Sequence, residues 1–161
     1  MAAVDYFLKI DGIEGESQDS KHAKEIELES FSWGESNHGS QAAAGGGGAG
    51  KVQMQDFHFV MRVNKASPKL FLACANGEHI KSAVLTCRKA GKEQQEFLKW
   101  KFTDLLISSY QTGGSHGDII PMDQVSFNFA KIEVEYKGQK ADGSLEGAIP
   151  AGWDLKKNTK V

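Results

Sequence analysis

The chain has 161 residues, 40% of them hydrophobic, which suits one folded domain over 1–161 with a sizeable core. Its 19 basic and 21 acidic residues are well mixed and leave a net charge of −2, which argues against nucleic acid as a partner. No apolar run approaches the ~20 residues of a membrane span, so membrane insertion is not expected.

The first apolar stretch, 4–10, contains Asp5 and Lys9. It lacks the basic start and apolar core of a signal peptide, so synthesis and folding in the cytoplasm are expected. Strands are predicted over 4–10, 25–33, 52–63, 81–89, 95–111, 124–136 and 152–158. Turn signals at Asp11-Gly12, Ala90-Gly91, Gly113-Gly114 and Ala141-Asp142-Gly143 separate them. One short helix is predicted at 67–77, with Ser67 as N-cap, Pro68 at the first helical position and Gly77 as the left-handed stop. Leu70, Phe71 and Cys74 share its apolar face. The fold class expected is mainly β: a small closed β-barrel of two sheets with one flanking helix and a long glycine-rich loop.

The apolar face changes parity inside the long strands. Ile26 and Leu28 give way to Phe31 and Trp33, and Val52 and Met54 to Phe57, Phe59 and Met61. Leu98, Trp100 and Phe102 give way to Leu105 and Ile107, and Phe127 and Phe129 to Ile132, Val134 and Tyr136. A regular strand alternates strictly, so each slip requires a bulge or a corner between sheets. The segment 95–111 would span ~55 Å if straight, at ~3.3 Å per residue, so it bends or extends past the core.

The glycine-rich segment offers an enzymatic reading. Gly45, Gly50 and Lys51 fit the G-x-x-x-x-G-K part of a phosphate-binding loop. That motif needs a Ser or Thr next for magnesium, a buried strand before it and a helix after it. Val52 follows Lys51, the residues from Gly34 to Gln41 are turn-like, and the next stretch alternates as a strand. We therefore read 36–51 as a long loop that reaches a partner, and no cofactor is expected. The five histidines show no metal-ligand spacing, and Asp104 and Asp118 lack a carboxylate partner at useful spacing. Neither a metal nor a catalytic site is expected. Lys99 and Lys101 mark the polar face of their strand, either solvated or a functional wall. Cys74 and Cys87 are read as unpaired packing residues.

Several ordered elements together carry a family resemblance. They are Met1–Asp5 with Phe7-Leu-Lys-Ile, Gly15-Glu-Ser, Ser32-Trp33-Gly34 and the glycine loop closed by Lys51-Val52. Ser67-Pro68, Ala73-Cys74, Arg88-Lys89-Ala90-Gly91, Ser108-Ser109, Thr112-Gly113-Gly114, Phe127–Ala130, Gln139–Gly143 and Gly152-Trp153 follow. The chain resembles, over essentially its whole length, the haemolysin-coregulated protein family, the tube protein of bacterial type VI secretion. The resemblance implies a β-barrel that assembles as a homohexameric ring. Rings stack head to tail into a tube that a contractile sheath surrounds and a spike protein caps. It also implies effector proteins carried in the lumen, and export by the machine without a signal peptide.

On this reading the loop residues Gly45, Gly46, Gly47, Gly48, Gly50 and Lys51 form the subunit joint. The Ala90-Gly91 turn and Lys156, as turn or terminal segments, stack one ring on the next. Phe31 and Trp33 face the core, so Ser30 and Ser32 point the other way, into the lumen or into outer solvent. A monomeric small-ligand barrel and an enzyme using the glycine loop remain as alternatives.

Overall fold

The computed structural model describes residues 3–39, 51–90 and 94–161. In chain order the elements are β1 (Val4–Ile10), β2 (Ile26–Glu27), β3 (Ser30–Ser32), β4 (Glu35–Asn37), β5 (Val52–Met54), β6 (Phe57–Arg62), α1 (Ser67–Asn76), β7 (His79–Lys89), β8 (Gln95–Gly113), β9 (Met122–Gln139), β10 (Leu145–Asp154) and β11 (Thr159–Lys160). The fold is mainly β with one short helix, as the sequence predicts.

All ladders are antiparallel, and the main sheet runs β11-β10-β9-β8-β7-β1-β2, with β6 also on β9 and β3 on β6. No ladder joins β2 to β3, so the expected closure of the barrel by strand pairing is not found. The chain itself bridges the gap. Leu28 N–H donates to Tyr6 O at 3.0 Å, and Glu29 N–H to Val60 O at 2.8 Å, so one short stretch passes from β1 to β6.

This hand-over is why the predicted strand 25–33 is two strands, and why its parity slips where it does. The predicted strand 52–63 likewise divides into β5 and β6. Its first part pairs with β4, at Glu35↔Met54 and Asn37↔Val52. The residues after Gly34 therefore form a strand and not a turn, and the predicted loop 36–51 begins as the stem of a hairpin arm. β10 begins earlier than predicted. Gly147, Pro150 and Gly152 weaken its local strand signal, which an outer strand tolerates.

The other slips are collective. Residues facing the core shift from Phe102 to Leu105 on β8, from Ile132 to Phe129 on β9 and from Ala83 to Ile80 on β7. The pairings Ala83↔Phe102, Ile80↔Leu105, Phe102↔Ile132 and Leu105↔Phe129 keep one register through that level. Asp104 stands there with φ 59, a left-handed conformation that interrupts alternation in β8. Below it β9 pairs with β6 and above it with β10, so the sheet forks at the same height.

The interior is filled with aromatic rings. Phe57, Phe59, Phe102 and Phe127 are at most 1% exposed, and Phe57 lies 4.8 Å from Phe102 and 5.0 Å from Phe127 between centroids. Ring pairs at such distances contribute about 1 kcal/mol each beyond area burial.

Helix α1 covers one side through buried Ser67, Leu70 and Ala73, whereas Phe71 is 59% exposed and so leaves the face predicted for it. Ser67 does not cap the helix. Ala66 is the N-cap residue, and the Ser67 hydroxyl instead donates to the buried Asp123 Oδ2 at 2.6 Å. Pro68 in the first turn and Gly77 at φ 67, with its N–H on Ala73 O, match the predicted boundaries.

Candidate functional site: an uncharged four-strand face

β3 carries Ser30 and Ser32 on the face opposite Phe31. Phe31 stacks on Phe57 at 5.8 Å and meets Tyr6 edge-on at 5.2 Å, so its side is the core side. Both serines are exposed. Strand pairing extends that face across the sheet. Ser32 lies opposite His58, His58 opposite Ser126, and Ser126 opposite Ser109. The next row runs Ser30, Val60, Gln124, Gln111. Three strand spacings of ~4.8 Å make this face roughly 14 Å wide.

His58 Nδ1 and Ser126 Oγ are hydrogen-bonded at 2.9 Å, which holds the imidazole against the sheet. Neither row contains a carboxylate, ammonium or guanidinium group. The first charges lie at the borders. On one side Arg62 pairs with Glu29 at 3.1 Å, and on the other Asp56 accepts from Ser108 Oγ at 2.5 Å. Hydroxyls and amides of this kind offer both donors and acceptors without a net field.

The outer face of the upper sheet is its opposite in character. Val84, Lys101, Glu133 and Gly152 form one row, and Thr86, Lys99, Glu135 and Pro150 the next. Lys99 and Lys101 therefore stand across from carboxylates, an arrangement that local alternation on one strand did not reveal.

Two charged clusters pin the segment 14–25 to the barrel. Arg88, 2% exposed, donates to Asp19 Oδ2 at 2.8 Å and to Asp5 Oδ2 at 3.3 Å, and its guanidinium lies 4.7 Å from the Phe7 ring centroid. The hydrogen bonds from Arg88 hold the Asp19 carboxyl well below the usual carboxylate range. His22 stacks on Phe7 at 4.4 Å and bonds Glu25 Oε2 at 2.8 Å and Glu96 Oε1 at 2.7 Å. Burial pushes the Glu96 carboxyl up, but bonds from His22 and Lys99 outweigh it and leave the group lowered. Sequence reasoning assigned neither cluster, because Arg88–Asp19 and His22–Glu96 are 69 and 74 residues apart. Among the described residues no group of His, Cys, Asp and Glu could hold a metal ion.

The remaining predicted positions divide. Gly45, Gly46, Gly47, Gly48, Gly50 and Gly91 lie outside the described residues. Lys51 is exposed where β5 begins. Ala90 is exposed at one end of the barrel, its N–H on Ala3 O at 3.2 Å. Lys156 Nζ donates to Asp104 Oδ2 at 2.8 Å, which places it beside the middle of β8. The turn 114–121 joins β8 to β9 at the other end of these strands. Cys74 and Cys87 are free thiols, and burial raises Cys87 to about 11.

Comparison with known proteins agrees over the whole chain. The family model described as type VI secretion system effector, Hcp, matches residues 7–136. Protein hcp1 of Pseudomonas aeruginosa is 45% identical over 161 residues, covering 99% of both chains. Hcp1 from Salmonella typhimurium is 38% identical with a TM-score of 0.80, covering 99% of this chain and 100% of its own. A type six secretion system protein, 32% identical, has a TM-score of 0.93 with the same coverage. A type VI secretion system effector from Yersinia pestis is 36% identical with a TM-score of 0.75, covering 93% and 99%. A sheet with a forked upper half, one flanking helix, an arm hairpin and a full-length match in sequence and structure converge on one conclusion: the chain belongs to the haemolysin-coregulated protein family of secreted type VI secretion proteins.

Proposed function

We propose that this chain is the subunit of a type VI secretion inner tube. It acts structurally and not as an enzyme. Six copies close into a ring, and rings stack head to tail within a contractile sheath and beneath a spike protein. Effector proteins travel in the lumen. The chain is made in the cytoplasm and leaves through the machine.

The observation that carries this reading is the uncharged face containing Ser30 and Ser32. A passage for varied proteins calls for small, neutral, hydrogen-bonding groups that bind weakly and leave space. The two serines, His58, Ser109, Gln111, Gln124 and Ser126 supply them on a rigid sheet. The filled aromatic interior speaks against a ligand-holding barrel. The arm that leaves the sheet at Gly34 and Gln55 reaches the neighbouring subunit through 38–51, including Gly45 to Gly48, Gly50 and Lys51. Replacing 40–50 by a short Gly-Ser link weakens assembly and leaves the barrel folded, as read by gel filtration and circular dichroism. Negative-stain imaging of the purified protein tests the whole reading. Six-membered rings are expected, and a monomer at high concentration overturns it.

A further inference from the structure

The strand ladder ends in β2 on one side and β11 on the other, and the two ends carry opposite charge. Beside β2 runs a groove lined by Glu16, Glu27, Glu29, Arg62, Val63 and Ile120. Its three carboxylates face one guanidinium, and that group is engaged with Glu29 at 3.1 Å. Glu16 and Glu27 are exposed and have no cation within ion-pair distance among the described residues. Val63 at 36% and Ile120 at 39% exposure add apolar surface to the same groove.

At the other end, Lys157 and Lys160 are exposed and have no carboxylate within that distance among the described residues. They are held in place. Lys157 N–H donates to Asp154 Oδ1 at 2.9 Å, Lys160 pairs with Trp153 in the β10–β11 ladder, and Val161 N–H donates to Gly152 O at 3.1 Å. Ile149 and Val161, 64% and 58% exposed, supply aliphatic surface on the same edge. Each end thus combines aliphatic contact area with unpaired side chains of one sign, Glu16 and Glu27 in the groove and Lys157 and Lys160 on the edge.

We propose that the β10–β11 edge of one copy docks in the acidic groove of a second copy, with Lys157 and Lys160 opposite Glu16 and Glu27. The proposal rests on the ring reading above and names its joint. The two patches differ, so the contact is head to tail and can close a ring. Opposite charges bring unlike ends together, while groove-to-groove and edge-to-edge encounters repel.

Charge reversal tests this. K157E/K160E and E16K/E27K are made separately, checked for folding by circular dichroism, and sized by analytical ultracentrifugation. Each alone is expected to raise the concentration for half-assembly at least about tenfold. An equal mixture of the two variants restores rings, since each edge then meets a groove of opposite charge. The four reversals in one chain restore them as well. If wild-type protein forms no rings, the ring reading fails and takes this joint with it. If wild-type rings form and either reversal leaves assembly unchanged, or neither mixture nor combination rescues, the joint alone is overturned.

Discussion

Lys156 donates its ammonium to Asp104 at 2.8 Å, and Asp104 is the β8 residue with a left-handed backbone, φ 59. The same carboxylate meets His79 Nδ1 at 3.3 Å. One side chain therefore ties the start of β7, the middle of β8 and the turn after β10, at the height where the sheet forks. Hydrogen bonds from Lys156, then His79, lower the Asp104 carboxyl, and the pairing raises Lys156. Both groups are exposed, so the pair acts by fixing position more than by Coulomb energy.

Backbone conformation at Asp104 then predicts an unusual ranking. Asp104→Gly removes the ion pair but suits the left-handed backbone, whereas Asp104→Val loses the pair and strains the chain. The melting temperature should fall further for valine than for glycine. Equal melting temperatures would remove the backbone from this account.

Acid stability should follow the Arg88 cluster. A carboxyl lowered in the folded state adds stability that is present above its unfolded value, about 4, and is lost as pH falls through the folded value. Asp19→Asn should flatten the acid limb of stability against pH below about 4. Arg88→Met, which leaves Asp19 without its partner, should cost about 3 kcal/mol in urea unfolding at neutral pH. An unchanged acid limb in the Asp19 variant would show that the bond contributes nothing.

The two thiols should differ in reactivity. Cys74 is partly exposed at the end of α1, while Cys87 is 1% exposed in β7 with its thiol raised to about 11. A thiol reagent at pH 8 should label Cys74 in the native protein, and both residues after denaturation without reductant. Fewer than two denatured thiols would mean that a disulfide forms.

Replacing Ser32 with Gln enlarges one exposed position on the uncharged face without touching Phe31 or the core. Rings should assemble normally, while effector retention and secretion fall. Unchanged cargo stability with intact rings would place Ser32 on outer solvent.

On the stacking proposed above, Ala90-Gly91 of one ring meets the segment around Lys156 of the next. Cysteines placed at Gly91 and Lys156 should crosslink between rings under oxidation. Crosslinks within one ring only, or none, would reject the pairing.

Much was legible from local pattern. β1 was predicted at its observed bounds, since Phe7, Leu8 and Ile10 need only alternation and a following Asp11-Gly12 turn. Pro68 and Gly77 bounded α1 because their backbone preferences are intrinsic. The placement of Ser30 and Ser32 away from Phe31 also followed from alternation. Ser67 failed as a cap because the buried Asp123, distant in sequence, offered its hydroxyl a stronger partner.

By itself the sequence determined the class of fold, the family, the facing of Ser30 and Ser32 away from Phe31 and the existence of parity slips. Periodicity, turn chemistry and ordered motifs are local and survive in one dimension. Only the tertiary structure decided what the slips mean, since three strands must lie side by side before a shared change of parity at Asp104 can appear. It also decided that Lys156 pairs with Asp104, that Arg88 and His22 lock the segment 14–25, and that Ser32, His58, Ser126 and Ser109 form one row. Those relations depend on strand register and on side chains brought together across the sheet, and neither is encoded in spacing along the chain.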